Sequence, residues 1–184
     1  MRVKGSALRS SMNFLRENFP PETALRILNG LPDEDRKVLG GTILMSDWYR
    51  AEILFGLMHA MTGETSEKPE DLFIRLGRQS CEDGLNTIYK IFFKVGTTSF
   101  ILKHVAQVWN NYYDEGKMLL LDSTPMTAHL RLEGAHLPDA AMCIRVSGWM
   151  MRAVELSGGK NVRIDHASCA HRKDPDCEWK ARWE

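Results

Sequence analysis

Four side chains near the C-terminal end of this sequence have the types and spacing to hold a metal ion. His166-Ala-Ser-Cys169 is followed after seven residues by Cys177, and Cys143 stands upstream in a segment with helical periodicity. Thiolates and imidazole are the soft and borderline ligands that zinc accepts in a closed tetrahedral set. Four protein ligands leave no open position for a substrate, so a Zn2+ held by Cys143, His166, Cys169 and Cys177 would be structural. The bland alternative is two free loop cysteines, one buried helix cysteine and one core histidine, since buried thiols are common and inert. The set also lacks the paired CxxC spacing of a standard zinc ribbon.

The elements that must position these residues read as follows. Val162, Ile164 and His166 share one face of a strand, and Cys177, Trp179, Ala181 and Trp183 share one face of the next. Cys143 lies on a helix over residues 139–157, in phase with Val146, Met150 and Ala153, and Gly158-Gly159 terminates it. From Cys143 to Ser157 that helix climbs about 21 Å at 1.5 Å per residue. The strand from Lys160 to His166 returns about 20 Å at 3.3 Å per residue. The chain therefore comes back to its starting height, and His166 is expected beside Cys143.

Upstream, Met118–Leu121 reads as a short strand, and Ala128, Leu130 and Leu132 alternate with His129, Arg131 and Glu133 as a half-buried one. The first part of the chain is helical. Leu8, Met12 and Leu15 form a stripe over residues 7–18, Pro21 opens a second helix, and Ser46 is expected to cap a third that runs to about Met61. Longer helices are predicted over about 69–95 and 98–113. The class that follows is α+β, a small antiparallel four-stranded sheet with long helices packed on it.

The chain has 184 residues, enough for one domain with a sizeable core. Lysine plus arginine balances aspartate plus glutamate, which argues against a dedicated nucleic-acid binder. No apolar run reaches the roughly 20 residues of a membrane span. The first residues do not read as a secretion signal, so the expected location is cytoplasmic, where cysteines serve more often as thiols or metal ligands than as disulfides.

At the C-terminal residues a family resemblance enters. HASCAHRKDPDCEWKARW is similar to the closing motif of the 4-vinyl-reductase-type ligand-binding domain and of a myxobacterial paralogous family related to the heme-nitric-oxide-binding and vesicle-tethering superfamily. LGRQSCEDGL, IYKIFFKVGTTSFILKHVAQVWNNYYDEGK and CIRVSGWMMRAVELSGGKNVRIDHASC resemble the upstream parts. The resemblance spans roughly residues 41–184 and leaves 1–40 as an N-terminal helical extension packed on the same domain. It implies a ligand-binding fold. In the aromatic-sensing transcription factors of this class, zinc is held by a helix Cys, a carboxylate and two further Cys. Cys143, Cys169 and Cys177 fall at matching spacings, with His166 where the carboxylate would be. Lys173 stands where the motif usually has Gly, a position that suggests a positive φ. The family's aromatic-ligand residues find no clean counterpart here.

Other signals are weaker. Gly158-Gly159-Lys160 lacks the full phosphate-loop pattern. His104 is expected to be an ordinary core or surface histidine, because the tyrosine–serine–arginine signature of heme-nitric-oxide sensors is not visible. Cys81 is expected to be a buried thiol rather than an acylation site. The functional expectation is a non-catalytic sensor or adaptor that binds a small apolar ligand or a protein partner, with an apolar pocket between helices and sheet. Phe92, Phe93, Phe100, Ile101, Trp109 and Tyr113 exceed one narrow stripe, so a homodimer is expected. A reductase-type enzyme and a purely structural subunit are the competing classes.

Overall fold

The structure is a computed structural model and describes residues 1–84, 107–136 and 139–184. The chain opens with strand β1 (Arg2–Lys4), followed by helices α1 (Gly5–Asn18), α2 (Pro21–Asn29) and α3 (Asp33–Gly40). Pro20 and Pro32 precede the second and third of these, and three acidic residues, Asp33, Glu34 and Asp35, sit in the first turn of α3, where the helix dipole favours them. Next come β2 (Trp48–Arg50), α4 (Ala51–Thr62) and α5 (Pro69–Gly84). The expected cap at Ser46 is corrected. Residues 48–50 pair antiparallel with β1, Val3 opposite Tyr49, and α4 starts only after that pairing ends. Tertiary pairing with a strand more than 40 residues away overrides the local cap signal.

Residues 107–112 are helical, and Tyr113 bridges to Val3. The rest of the predicted helix over 98–113 and the end of that over 69–95 lie outside the described residues. The C-terminal half follows the expected order: β3 (Lys117–Ser123), β4 (Thr127–Glu133), α6 (Ala141–Leu156), β5 (Arg163–Ser168), a short 3-10 turn over Ala170–Arg172, and β6 (Cys177–Arg182). The four strands form one antiparallel sheet in the order β3-β4-β6-β5.

One face of this sheet is buried. Ala128, Leu130 and Leu132 on β4 stand opposite Ala181, Trp179 and Cys177 on β6. Trp179 is fully buried, and burying a tryptophan stabilises by on the order of 3–5 kcal/mol before entropy is counted. Its indole Nε1 donates to Ser147 Oγ on α6 at 3.0 Å, which removes the cost of an orphaned donor. Helix α6 thus closes over the sheet.

The other side of α6 lies against α5 at backbone contact. A Cβ at Gly77 would overlap the Arg145 carbonyl, and one at Gly148 would overlap the Ile74 carbonyl. The pair is further tied by Arg78, whose guanidinium donates to both carboxylate oxygens of Glu155 at 2.9 and 2.6 Å. Arg152 adds a bond to Glu155 at 3.1 Å and one to Glu82 at 2.5 Å.

Burial pushes the Glu155 carboxyl up, but the Arg78 and Arg152 guanidiniums outweigh it and hold the group below its usual value of 4.5. A depressed folded-state value stabilises the fold above the unfolded value, and that contribution is lost as pH falls through the folded one. Glu155→Gln is expected to lower stability by about 1 kcal/mol at neutral pH, as for a partly buried bidentate pair. Below the ordinary carboxylate range the wild type should approach the variant. Urea denaturation of both proteins from pH 7 down to pH 3 checks this; a constant gap across that range would contradict it.

Candidate functional site

Cys143, His166, Cys169 and Cys177 converge. Their ligand-capable atoms all lie within 4.8 Å of one another. Cys143 comes from the first turn of α6, His166 from β5, Cys169 from the residue after β5, and Cys177 from the start of β6. The three cysteines are buried and none forms a disulfide. The strand phases place the ring of His166 over Trp179, its register partner, with centroids 5.0 Å apart and planes 13° from parallel. A bulge between His166 and Ser168 then turns the chain.

The connecting loop is built by its own polar groups. Cys169 N donates to Asp174 Oδ2 at 2.7 Å, Ser168 Oγ to the Asp176 carbonyl at 2.8 Å, and Arg172 Nη2 to the His166 carbonyl at 3.0 Å. Lys173 closes the turn at φ 71° and ψ 16°. The left-handed turn that a glycine would favour is therefore kept with a lysine in it.

The thiols share their protons unequally. Cys143 Sγ lies 3.5 Å from Cys177 Sγ, and the Ala170 N–H points at Cys177 Sγ at 3.4 Å. Donation by Cys143, with help from His166 and Ala170, pulls the Cys177 thiol down. The same hydrogen bond, and then burial, push Cys143 up. His166 Nε2 is buried and has no hydrogen-bond partner among the described residues. The arrangement offers one thiolate and an imidazole nitrogen to an electrophile or cation.

A second feature bears on the apolar pocket expected between helices and sheet, although none of its lining residues was singled out for it. A cavity of about 40 Å3 lies between α5, α6 and the helical segment 107–112, lined by Ser80, Trp109, Tyr112, Tyr113, Arg145 and Trp149 among others. Trp109 and Tyr113 pack at 4.3 Å between centroids and are buried in the chain's own core. They are not surplus apolar surface, as the dimer argument expected; Phe92, Phe93, Phe100 and Ile101 lie outside the described residues. The one available signal for the cavity was Arg145, a cation inside the otherwise apolar run Ala141, Met142, Val146, Trp149. Cys81 is fully buried, and burial pushes its thiol well up, so it is an inert packing residue. His104 lies outside the described residues. Among those described, no helix is long and apolar enough to cross a membrane.

No protein-family model matches the chain, and no curated protein does. Solved structures do. The H-NOX domain from Shewanella oneidensis in its Fe(II)CO state superposes with a TM-score of 0.77 at 13% identity, covering 98% of each chain. The unliganded Fe(II) H-NOX protein from K. algicida gives 0.75 at 11% identity, covering 98% of this chain and 96% of that one. A structure whose heading concerns heme redox potential and porphyrin distortion gives 0.69 at 10% identity. The chain therefore has the H-NOX fold, in agreement with the heme-nitric-oxide-binding part of the resemblance.

These similarities correct the zinc expectation. The matched structures are named for iron and porphyrin, none for zinc. Ligand softness does not single out zinc, because several thiophilic ions satisfy it equally. Nor do the described residues fit a porphyrin. The cavity of 40 Å3 holds about three water-sized groups, and its lining among the described residues includes no imidazole or thiol. The described histidines lie elsewhere: His59 pairs with Asp139, His129 with Glu178, His166 stacks on Trp179, and His136 and His171 are exposed.

Lys173→Gly is expected to stabilise the C-terminal hairpin by about 0.5–1 kcal/mol through relief of the left-handed strain. Thermal denaturation reads this as a rise in the midpoint. An unchanged or lower midpoint would mean that the lysine costs the turn nothing.

Proposed function

We propose that this chain is a non-catalytic sensor module that binds a small molecule in the cavity between α5, α6 and residues 107–113. The observation that carries this reading is a void walled by Trp109, Tyr112, Tyr113 and Trp149 beside the packed α5–α6 pair. The shared fold supports it, since the Shewanella structures of that fold include Fe(II)CO and Fe(II)NO states. Within the fold, we place the chain with the 4-vinyl-reductase-type and myxobacterial sequences, with residues 1–40 as an extension of the domain at 41–184. The left-handed Lys173 at the motif's glycine position supports that placement.

In the same reading Cys143, His166, Cys169 and Cys177 are ligands to a thiophilic metal ion that pins β5 and β6 to α6. The support is their convergence within 4.8 Å and the unpartnered Nε2 of His166. The module acts as a cytoplasmic homodimer.

Native mass spectrometry of protein purified without chelator tests the sensor reading. A dimer mass with a small-molecule adduct is expected, and Val146→Phe, which fills the cavity, should remove the adduct. An adduct that survives this substitution, or no adduct with any of a panel of small apolar compounds, would count against the cavity. Elemental analysis of the same preparation tests the metal set. About one equivalent of a thiophilic metal is expected, falling severalfold in Cys169→Ser while the helical circular dichroism is retained. A metal-free wild type would sink it.

A further inference from the structure

Arg145 is the one arginine among the described residues whose surface is almost wholly buried, with 3% exposed. Its side chain lines the cavity. Nη1 donates to the Tyr113 hydroxyl at 3.2 Å and Nη2 to Ser80 Oγ at 2.9 Å. Nε is buried and has no partner among the described residues. Both partners are neutral. More exposed arginines hold carboxylates: Arg26 pairs with Glu64, Arg50 with Asp35 and Arg78 with Glu155. Arg145 pairs with no carboxylate among the described residues. The stretches outside them, 85–106 and 137–138, contain neither Asp nor Glu. No carboxylate of this chain therefore forms a direct ion pair with it.

A guanidinium keeps its proton when buried, and an uncompensated charge away from water is costly. Such a group is retained where an anion arrives from outside. The donor geometry selects among anions. A guanidinium has five N–H donors, of which Tyr113 and Ser80 take two. The open Nε–H and the adjacent Nη2 form one side of the fork, which a carboxylate meets with two parallel hydrogen bonds. The remaining walls, Val108, Trp109, Val146, Trp149 and Met150, are apolar or aromatic and suit a short hydrocarbon tail.

Size narrows the ligand further. A cavity that encloses benzene measures about 150 Å3 on the same kind of scale. At 40 Å3 this one is too small for an aromatic ring without rearrangement. We infer that the cavity binds a short-chain monocarboxylate of about two to three carbons, with its carboxylate on Arg145 and its tail against Trp109 and Trp149. This rests on the sensor reading above and names the chemical class of its ligand.

The experiment is a titration of the full chain with acetate, propionate and butyrate, followed by tryptophan fluorescence and thermal shift at constant ionic strength set with chloride. Acetamide, propionamide and butyramide serve as neutral isosteres. Saturable signals are expected for acetate and propionate, with their amides at least tenfold weaker, and butyrate should bind more weakly than propionate. In Arg145→Met carboxylate binding should fall at least tenfold, with the preference over amides gone. Should that variant fail to fold, Arg145→Lys keeps the charge and loses the fork; it should bind carboxylates more weakly than wild type yet still above amides. Amides that bind as well as carboxylates would overturn the carboxylate inference and leave the cavity as a neutral-ligand sensor site. Carboxylate binding unchanged in Arg145→Met would overturn it as well. Absence of any signal with both series would overturn it together with the sensor reading for ligands of this size.

Discussion

The backbone contact between α5 and α6 is the constraint on which the other features depend. Two glycines, Gly77 and Gly148, face carbonyls of the opposite helix with no room for a Cβ. Helices usually lie 8–10 Å apart because side chains separate them. Removing the side chains at the crossing lets the axes approach, and the residues beyond the crossing are then set in space. Arg78 reaches Glu155, Ser80 reaches Arg145, and Cys81 is sealed against Ala153. The void by Arg145 lies beside this close contact, walled by the larger side chains of Trp149 and Tyr113.

Helix α6 connects two chemically different places. Cys143 and Arg145 are two residues apart, which puts them about 200° apart around the helix and about 3 Å apart along it. One therefore faces the sheet and the thiol group, the other faces α5 and the cavity. Ser147 repeats the first direction, with its hydroxyl taking the Trp179 indole and donating to the Cys143 carbonyl. The thiol cluster and the cavity are thus opposite faces of one rigid element, held on one side by the sheet and on the other by the glycine crossing.

Much of the C-terminal half was legible in the sequence because each of its elements repeats one period. The alternation of Ala128, Leu130 and Leu132 gives β4 its buried face, and the phase of Cys177 and Trp179 gives β6 its own. Counting rise per residue up α6 and down β5 brought His166 next to Cys143, and the structure has them within 4.8 Å. The N-terminal part was less legible. Strands β1 and β2 are three residues each, too short for a period, and their pairing joins Arg2 to Arg50 across the length of three helices. Helix α3, with mostly charged residues and only Asp35 and Leu39 buried, has no apolar stripe to announce it. The lining of the cavity was illegible for a further reason. A void is a property of how side chains fail to fill space, and no local pattern encodes it; only the misplaced charge of Arg145 leaves a trace in the sequence.

Three of the local rules that this chain breaks lie around the same two places. Lys173 takes a left-handed turn that suits glycine, beside the cysteines. His166 keeps a buried nitrogen without a partner, and Arg145 keeps a buried charge without a counter-ion. Each such departure costs of order one to several kcal/mol, while the whole fold is stable by only about 5–15 kcal/mol. An apolar residue at position 145 would remove the largest of these costs with no loss of the α5–α6 contact, because that contact is made by the Arg145 carbonyl and the two glycines rather than by the guanidinium. The charge therefore does not serve the helix crossing. Its energetic compensation must come from the two neutral hydroxyls and from whatever occupies the cavity. Two hydroxyls supply hydrogen bonds but no opposite charge, and Coulomb compensation in a low-dielectric interior requires one. The imbalance lies on the wall of the cavity, so the residue that lines the void also defines the sign of what can fill it.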